Sequence, residues 1–260
     1  MFDFVKSKLG KSRIISGIYD RFYHRPITDK QFQEEFNRFS ELSHLKEQRF
    51  LFRWNDRYPC LRDRTPVTGF DLHYIYHPAW AARILAKTKP EHHVDISSNL
   101  HFCSIVSAFI PVEFFDFRPA PIFLNNLKTG KADLLNLQFD DKSIPSLSCM
   151  HVVEHIGLGR YGDPLDPEAD LVAMNEIQRV LATNGDLLFV VPLGGNPKII
   201  FNAHRIYSFD QIIGYFSQLS LMSFSLITDY PGGPGYIENA TKTEADKCEY
   251  GCGCFWFKRE

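Results

Sequence analysis

Two hydrophobic patterns divide the chain, and the change falls near residue 70. Before it, apolar residues recur at helical spacing among Lys and Arg: Phe2, Val5 and Leu9, then Ile14, Ile15, Ile18, Tyr19 and Phe22. Thr28 and Gln31 have the S/T-x-x-E/Q spacing of a capping box. Phe32, Phe36, Phe39, Leu42 and Leu45 follow as one stripe at helix period, a pattern expected to be core. Residues 52–71 are broken by Pro59, Pro66 and Gly69 and read as a connector. It is rich in Arg, Trp, Tyr and Asp, a composition suited to folding over a ligand site.

From Leu72 onward short apolar runs alternate with helical segments. A helix signal, His77-Pro-Ala-Trp-Ala-Ala-Arg-Ile-Leu-Ala, places Pro78 in its first turn. Strands are expected at His93-Val-Asp-Ile-Ser, Val112-Glu-Phe-Phe-Asp-Phe, Ala132-Asp-Leu-Leu, Ser146-Leu-Ser-Cys-Met-His and Asp186-Leu-Leu-Phe-Val-Val. A long helix is expected over 170–181, stopped by Asn184-Gly185. A helix near 209–219, a strand near 222–228 and a last strand from Cys254 complete the chain. Buried strands alternating with helices argue for a mainly parallel sheet covered on both faces. The expected organisation is a helical extension and connector, 1–65, followed by an α/β domain, 66–260.

Composition narrows the classes. With 44% hydrophobic and 23% charged residues the chain is globular. A net charge of −2 does not suit a dedicated nucleic-acid binder. The charge is uneven: residues 1–65 carry net +5 and the remainder −7. No apolar run approaches the roughly 20 residues that span a bilayer, and the first residues lack the apolar stretch of a signal peptide. Residues 1–50 are expected to pack on their own domain or on a second copy in a homodimer, not to attach to membranes. Six cysteines fit free thiols in a reducing cytoplasm.

In an open parallel sheet, ligands bind outside the carboxyl ends of the strands. Those ends read Asp95-Ile-Ser97-Ser98-Asn99, Asp116-Phe-Arg118, Asp133, His151-Val-Val-Glu154-His155 and Pro192-Leu-Gly194-Gly195. The stretches Ala132-Asp133-Leu-Leu-Asn-Leu137-Gln-Phe139-Asp140-Asp141-Lys-Ser143-Ile144, Cys149-Met150-His151-Val-Val-Glu154-His155-Ile156 and Glu176-Ile-Gln-Arg-Val-Leu181-Ala-Thr-Asn-Gly185, taken in order, resemble the class I S-adenosylmethionine-dependent methyltransferases over about residues 72–260. More narrowly, His151 through Pro167 and Phe201-Asn-Ala-His204-Arg205-Ile-Tyr207-Ser resemble an uncharacterised, largely bacterial domain-of-unknown-function family associated with surface-polysaccharide gene clusters.

The resemblance implies a Rossmann-like sheet of order 3-2-1-4-5-7-6 with the last strand antiparallel. It implies S-adenosyl-L-methionine as cofactor, with Asp95 and Ser97 in the loop beneath its methionine part. Asp116 would take the ribose hydroxyls, Asp133 the adenine amine with the Leu134 amide nearby, and Met150 and His151 would flank the methionine. One departure stands out: the D-x-G-x-G loop of the family is here Asp95-Ile-Ser97-Ser98-Asn99, without glycine.

The acceptor side draws on the residues that follow. His155, then His151 or His204, are the candidate general bases, since imidazole titrates near neutrality. Arg160, Tyr161 and Asp163 lie in a Gly/Pro-punctuated insertion, and His204, Arg205 and Tyr207 follow the fifth strand; all are candidate substrate contacts. His151-x-x-Glu154-His155 also matches the H-x-x-E-H spelling of inverted zinc proteases, which keeps a zinc hydrolase as an alternative. Cys248, Cys252 and Cys254 lack a clear fourth ligand and are expected to be buried thiols; no metal site is assigned. The expected function is methyl transfer to an oxygen of a small polar acceptor, a sugar or sugar nucleotide of surface-polysaccharide synthesis. The alternative is a methyltransferase-like binding scaffold that has lost cofactor affinity.

Overall fold

The computed structural model describes residues 26–46 and 49–260. The chain divides into two compact units, one ending at Phe70 and the other spanning Asp71–Glu260. The helical pattern expected over residues 2–22 lies outside the described residues.

In the first unit, Thr28 and Gln31 close the capping box that their spacing predicts, and helix α1 (Asp29–His44) follows. The aromatic stripe is not core. Phe36 stacks on Phe52 at 4.4 Å and meets Trp54 edge-on at 4.8 Å. Yet no residue of α1 is buried, and Phe39 remains 59% exposed. Among the described residues of this unit, one helix and its connector offer too little apolar partner surface to cover such a stripe.

The second unit begins with α2 (Leu72–Thr88), capped by the Asp71 side chain on the Tyr74 amide. The helix therefore starts five residues before His77, and Pro78 is interior rather than in the first turn. Pro78 lacks the amide that would bond the Tyr74 carbonyl. Next to it, the His77 ring bonds back to the His73 carbonyl at 2.6 Å.

The remaining elements are β1 (His93–Ile96), α3 (Leu100–Val106), β2 (Val112–Asp116), β3 (Leu127–Lys131), β4 (Ile144–Met150), α4 (Ala169–Val180), β5 (Leu181–Leu193), β6 (Lys198–Ile200), β7 (His204–Ile206), α5 (Phe209–Tyr215), β8 (Ser220–Ile227), β9 (Tyr236–Ile237), α6 (Lys242–Ala245) and β10 (Gly251–Lys258). The main sheet runs β3-β2-β1-β4-β5-β10-β8-β9. Strands β1 to β5 pair in parallel, and β10 is antiparallel to both neighbours. With β10 as the seventh strand and β8 as the sixth, the expected order holds. Two additions were not anticipated: the edge strand β9 and the separate hairpin β6–β7.

Strand β5 shows why the pattern reads as continuous. Leu187, Phe189, Val191 and Leu193 join a core under α4 and α5, while Leu188 and Val190 join a second core under α2 and α3. Both faces are covered, so alternation disappears. The third strand differs from its expected place. It is Leu127–Lys131, an edge strand with one buried residue, and Ala132-Asp133-Leu134 forms the turn after it. There the Asp133 carboxylate accepts from the Leu135 amide at 2.9 Å, a local bond that competes with extended pairing.

The Glu176-x-x-Arg179 motif has a structural task. Arg179 bonds the Leu137 and Phe139 carbonyls and the Asp141 carboxylate at 2.7–2.9 Å. Glu176 accepts from the Leu137 amide at 2.9 Å. Together they pin the segment leading into β4.

Phe189 is fully buried against Phe216, with ring centroids 4.7 Å apart. Phe189→Ala should cost about 3–5 kcal/mol by removing contacts and leaving a cavity. In a domain of this size that lowers Tm by on the order of 10 °C, which scanning calorimetry would measure.

Candidate functional site

The loop after β1 is built from polar side chains instead of glycine. Asp95 is fully buried. Its carboxylate accepts from the Ser148 hydroxyl and from the Ser98 amide. The Ser98 hydroxyl in turn accepts from the Met150 amide at 2.9 Å, tying the loop to the end of β4. Ser97 has φ 57°, the left-handed region that glycine normally fills. Its amide donates to the Phe115 carbonyl at 2.7 Å. A non-glycine residue there costs roughly 1–2 kcal/mol, and these bonds hold it in place. Burial pushes the Asp95 carboxyl up to about 6. Asp95 thus shapes the loop from below and presents no exposed surface.

Asp116 ends β2 at the sheet's carboxyl rim. One of its oxygens accepts from the Arg118 amide at 2.6 Å, and its side chain is partly exposed. Asp133, in the turn after β3, is exposed, while Leu134 is buried. Met150, the last residue of β4, is buried in the core under α2.

At the exit of β4 the chain turns sharply. His151 has φ 59°. The fully buried Glu154 accepts from His151 Nδ1 at 2.8 Å and lies 3.8 Å from His155 Nε2. Burial alone would raise the Glu154 carboxyl, but the bond and charge of His151 outweigh it and hold it below the usual range. His155 Nδ1 lies 2.6 Å from the Ala203 carbonyl. A carbonyl only accepts, so Nδ1 carries the hydrogen. The Arg160 guanidinium, 3.1 Å from the same nitrogen, is a second donor on that carbonyl. His155 Nε2 is therefore the basic nitrogen. Burial also lowers the His155 pKa.

The insertion after this turn separates the remaining candidates. Asp163 accepts from the Gly157, Gly159 and Tyr161 amides and closes the loop on itself. Gly157 is required there: its φ is 77°, and a Cβ would lie 2.1 Å from the Asp166 carbonyl. Arg205 is buried on the Ile156 and Pro167 carbonyls and on Asp170. Tyr207 is buried with its hydroxyl donating to Asp170 at 2.8 Å. These three side chains are engaged in holding the loop. Arg160 and Tyr161 are exposed. Arg160 and Arg118 flank the Tyr161 ring at 5.1 and 4.7 Å.

Several site residues escaped the sequence reading. His73 stacks on His151 at 5.4 Å, and Tyr250 lies 5.2 Å from His73 and 4.9 Å from His204. His77 stands edge-on to His151 at 5.1 Å. Cys252 Sγ lies 3.3 Å from His151 Nε2. Burial lowers the pKa of His73 to about 3 and of His204 to about 4, and lowers that of His77 as well. The legible signal was His73-x-x-x-His77, since i and i+4 share a helix face. The three late cysteines do not converge: Cys248 joins the core under α4, Cys252 and Cys254 the core under α2. His151 is brought to His73 and Cys252, not paired with His155 on a helix as the H-x-x-E-H spelling requires.

Comparison with known proteins agrees with the fold. A family model described as "Caenorhabditis protein of unknown function, DUF268" matches residues 136–232. No curated protein matches in sequence. Among solved structures, the N-methyltransferase NodS from Bradyrhizobium japonicum WM9 aligns over 72% of this chain and 96% of its own, at 10% identity and TM-score 0.52. A 1,6-didemethyltoxoflavin-N1-methyltransferase from Burkholderia thailandensis, solved with that compound and S-adenosylhomocysteine, aligns over 90% and 92%, at 10% identity and TM-score 0.50. The MccD protein aligns over 70% and 96%, at 15% identity and TM-score 0.50. The fold of the second unit is the Rossmann-like fold of the class I methyltransferases.

Asp95 generates a pH prediction. A carboxyl whose folded pKa is raised above its unfolded value stabilises the fold below the unfolded pKa and loses that contribution as pH rises through about 6. The stability of the wild type relative to Asp95→Asn should fall by up to about 3 kcal/mol between pH 4 and pH 7, then level off. Urea unfolding of both proteins across that range would measure it, and a constant difference would refute it.

Proposed function

We propose that the chain is an S-adenosylmethionine-dependent methyltransferase acting on an oxygen of a small polar acceptor, a sugar or sugar nucleotide of surface-polysaccharide synthesis. The observation that carries this reading is the carboxyl rim of a class I methyltransferase sheet, which carries partly exposed Asp116 and exposed Asp133 at the ends of β2 and β3 and the half-buried imidazoles of His155, after β4, and His204, in β7, whose pKa values burial lowers.

The donor set suits the cofactor. Asp116 keeps one oxygen free of the Arg118 amide and would take the ribose hydroxyls, since a carboxylate accepts several hydrogen bonds. Asp133 and the Leu134 amide would meet the adenine edge. The β1 loop, held in its left-handed turn at Ser97, would pass beneath the methionine part, with Met150 and His151 beside it. This loop keeps its shape without glycine, which favours a working site over a scaffold. S-adenosylmethionine, when bound, supplies a methyl group on a cationic sulfur that leaves as a neutral thioether.

The chain's own part is to hold the acceptor and take its proton. His155 Nε2 is the base: its partner nitrogen is fixed as a donor on Ala203, and Glu154 lies 3.8 Å away to stabilise the imidazolium that forms. His204 and His151 border the same space. Arg118 and Arg160 around Tyr161 present two guanidiniums suited to phosphate, which favours a sugar nucleotide over a neutral sugar.

Two measurements test the reading. Titration calorimetry with S-adenosylhomocysteine should show binding that Asp116→Ala weakens by at least about tenfold, a loss of about 1.4 kcal/mol or more. Absence of binding in the wild type would leave a scaffold. Screening sugar nucleotides with labelled cofactor should then reveal the acceptor. With it, His155→Ala should keep cofactor affinity and lose about a hundredfold or more in turnover. Full turnover in a folded variant would remove His155 as the base.

A further inference from the structure

We propose that His73, His151 and Cys252 form a binding site for one zinc ion. The site shares His151 and Glu154 with the acceptor side described above, but metal binding is read without any methyl-transfer activity.

The three residues come from separate parts of the second unit. His73 lies in the first turn of α2, His151 follows β4, and Cys252 is in β10, beside β5. Their ligand atoms lie within 4.8 Å of one another, and His151 Nε2 is 3.3 Å from Cys252 Sγ. Zinc bonds imidazole nitrogen at about 2.0–2.1 Å and thiolate sulfur at about 2.3 Å. Tetrahedral ligands at those lengths lie about 3.3–3.6 Å apart, so the site closes with small side-chain movements. The donor set also selects the metal: imidazole and thiolate suit zinc, whereas magnesium and calcium prefer oxygen.

The surroundings are those of a metal-bound histidine. A ligating imidazole usually donates its other N–H to a carboxylate or carbonyl, which fixes the tautomer and raises basicity. His151 Nδ1 donates to the buried Glu154 at 2.8 Å, which turns the Nε2 lone pair toward Cys252. The His73 ring packs against the Tyr250 ring, with centroids 5.2 Å apart.

A second observation points the same way. Among the described residues, the buried side-chain nitrogen and oxygen atoms without a partner include His77 Nε2 and Glu154 Oε2, on residues that touch His151, and His204 Nε2, on a ring that meets Tyr250 beside His73. Unpaired polar atoms are rare in native interiors and mark ions or ligands when they gather. The charge balance agrees too. The Glu154 carboxylate and a Cys252 thiolate together would carry −2, which a bound dication would neutralise.

Three protein ligands leave one position open. Tyr74 and Tyr250, 39% and 41% exposed, border the cluster, so that position is reachable by water or a small ligand. Closed structural sites carry four protein ligands, whereas a site with three leaves room for exchange.

The test uses the full chain, stripped with chelator and titrated with Zn²⁺ or Co²⁺ alone. One equivalent of zinc should bind. Cobalt should give the visible bands of a tetrahedral site and a near-ultraviolet sulfur-to-metal charge-transfer band. His73→Ala and Cys252→Ser should each abolish stoichiometric binding, and Cys252→Ser should remove the charge-transfer band. Glu154→Gln should weaken binding by about 10–100-fold while keeping that band. Cys248→Ser, on the opposite face of the sheet, should change nothing. Circular dichroism establishes folding of each variant. If Cys252→Ser does not fold, zinc-edge absorption of the wild type, expected to show one sulfur and two imidazole nitrogens, decides instead. Absence of stoichiometric zinc, cobalt bound without sulfur, or binding retained in folded His73→Ala would overturn the proposal.

Discussion

The buried carboxylate of Glu154 governs the arrangement of the rim. Removing a carboxylate from water costs several kcal/mol unless partners repay it. Glu154 has no exposed surface, and among the described residues His151 is the side chain that gives it a short hydrogen bond. Its second oxygen has none. The turn after β4 is shaped to bring that partner in: His151 adopts a left-handed conformation, and the single turn Val153–His155 carries His155 to the same oxygen at 3.8 Å. His151 is oriented directly by this charge, and His155 is placed beside it. That is a costly way to build a fold and a reasonable way to build a site, because a buried anion fixes tautomers and attracts cations.

The motif residues divide by burial into those that build and those that face outward. Asp163, Arg205 and Tyr207 have their polar atoms committed to the loop between β4 and α4. Arg160 and Tyr161, from the same loop, remain exposed beside His155. Sequence alone assigns all five to substrate, since a polar side chain in a loop reads the same whether its partner is a ligand or a backbone amide. Gly157 marks the difference: a residue with φ 77° and no room for a Cβ belongs to a loop held in one conformation. Such a loop can present two side chains accurately because the others are tied down.

The sheet was legible because doubly covered parallel strands read as apolar runs, as over Leu187–Val191 in β5. The edge was not. Strand β3, Leu-Lys-Thr-Gly-Lys, has one buried residue and no period to detect. Likewise the hairpin β6–β7 is held by three-residue strands, too short for any pattern. The start of α2 was hidden by Pro78, whose preference for a first turn outweighed the earlier Asp71 cap. That error had a functional consequence, because it left His73 outside the helix and so outside any helical spacing. The three late cysteines are the buried thiols their pattern predicts. What their spacing does not show is that Cys248 lies on the other face of the sheet and that, of the three, Cys252 meets His151.

The glycine-free loop shows how far a missing motif residue can be trusted. Glycine is favoured there because its left-handed conformation is free of Cβ strain, so its absence argues against the usual turn. The turn is nevertheless present, with Ser97 at φ 57°. The cost of roughly 1–2 kcal/mol is opposed by side-chain bonds that glycine at the same two positions could not make: the Ser97 hydroxyl donates to the Phe115 carbonyl at 3.3 Å, and the Asn99 side chain accepts from the His101 amide at 2.8 Å. The substitution therefore moves part of the turn's support from backbone freedom to side-chain bonds. A separate set, Ser98 to Asp95 and to Met150 and Ser148 to Asp95, ties the β1 loop to the end of β4, so the two sides of the candidate site are positioned by one group of hydrogen bonds.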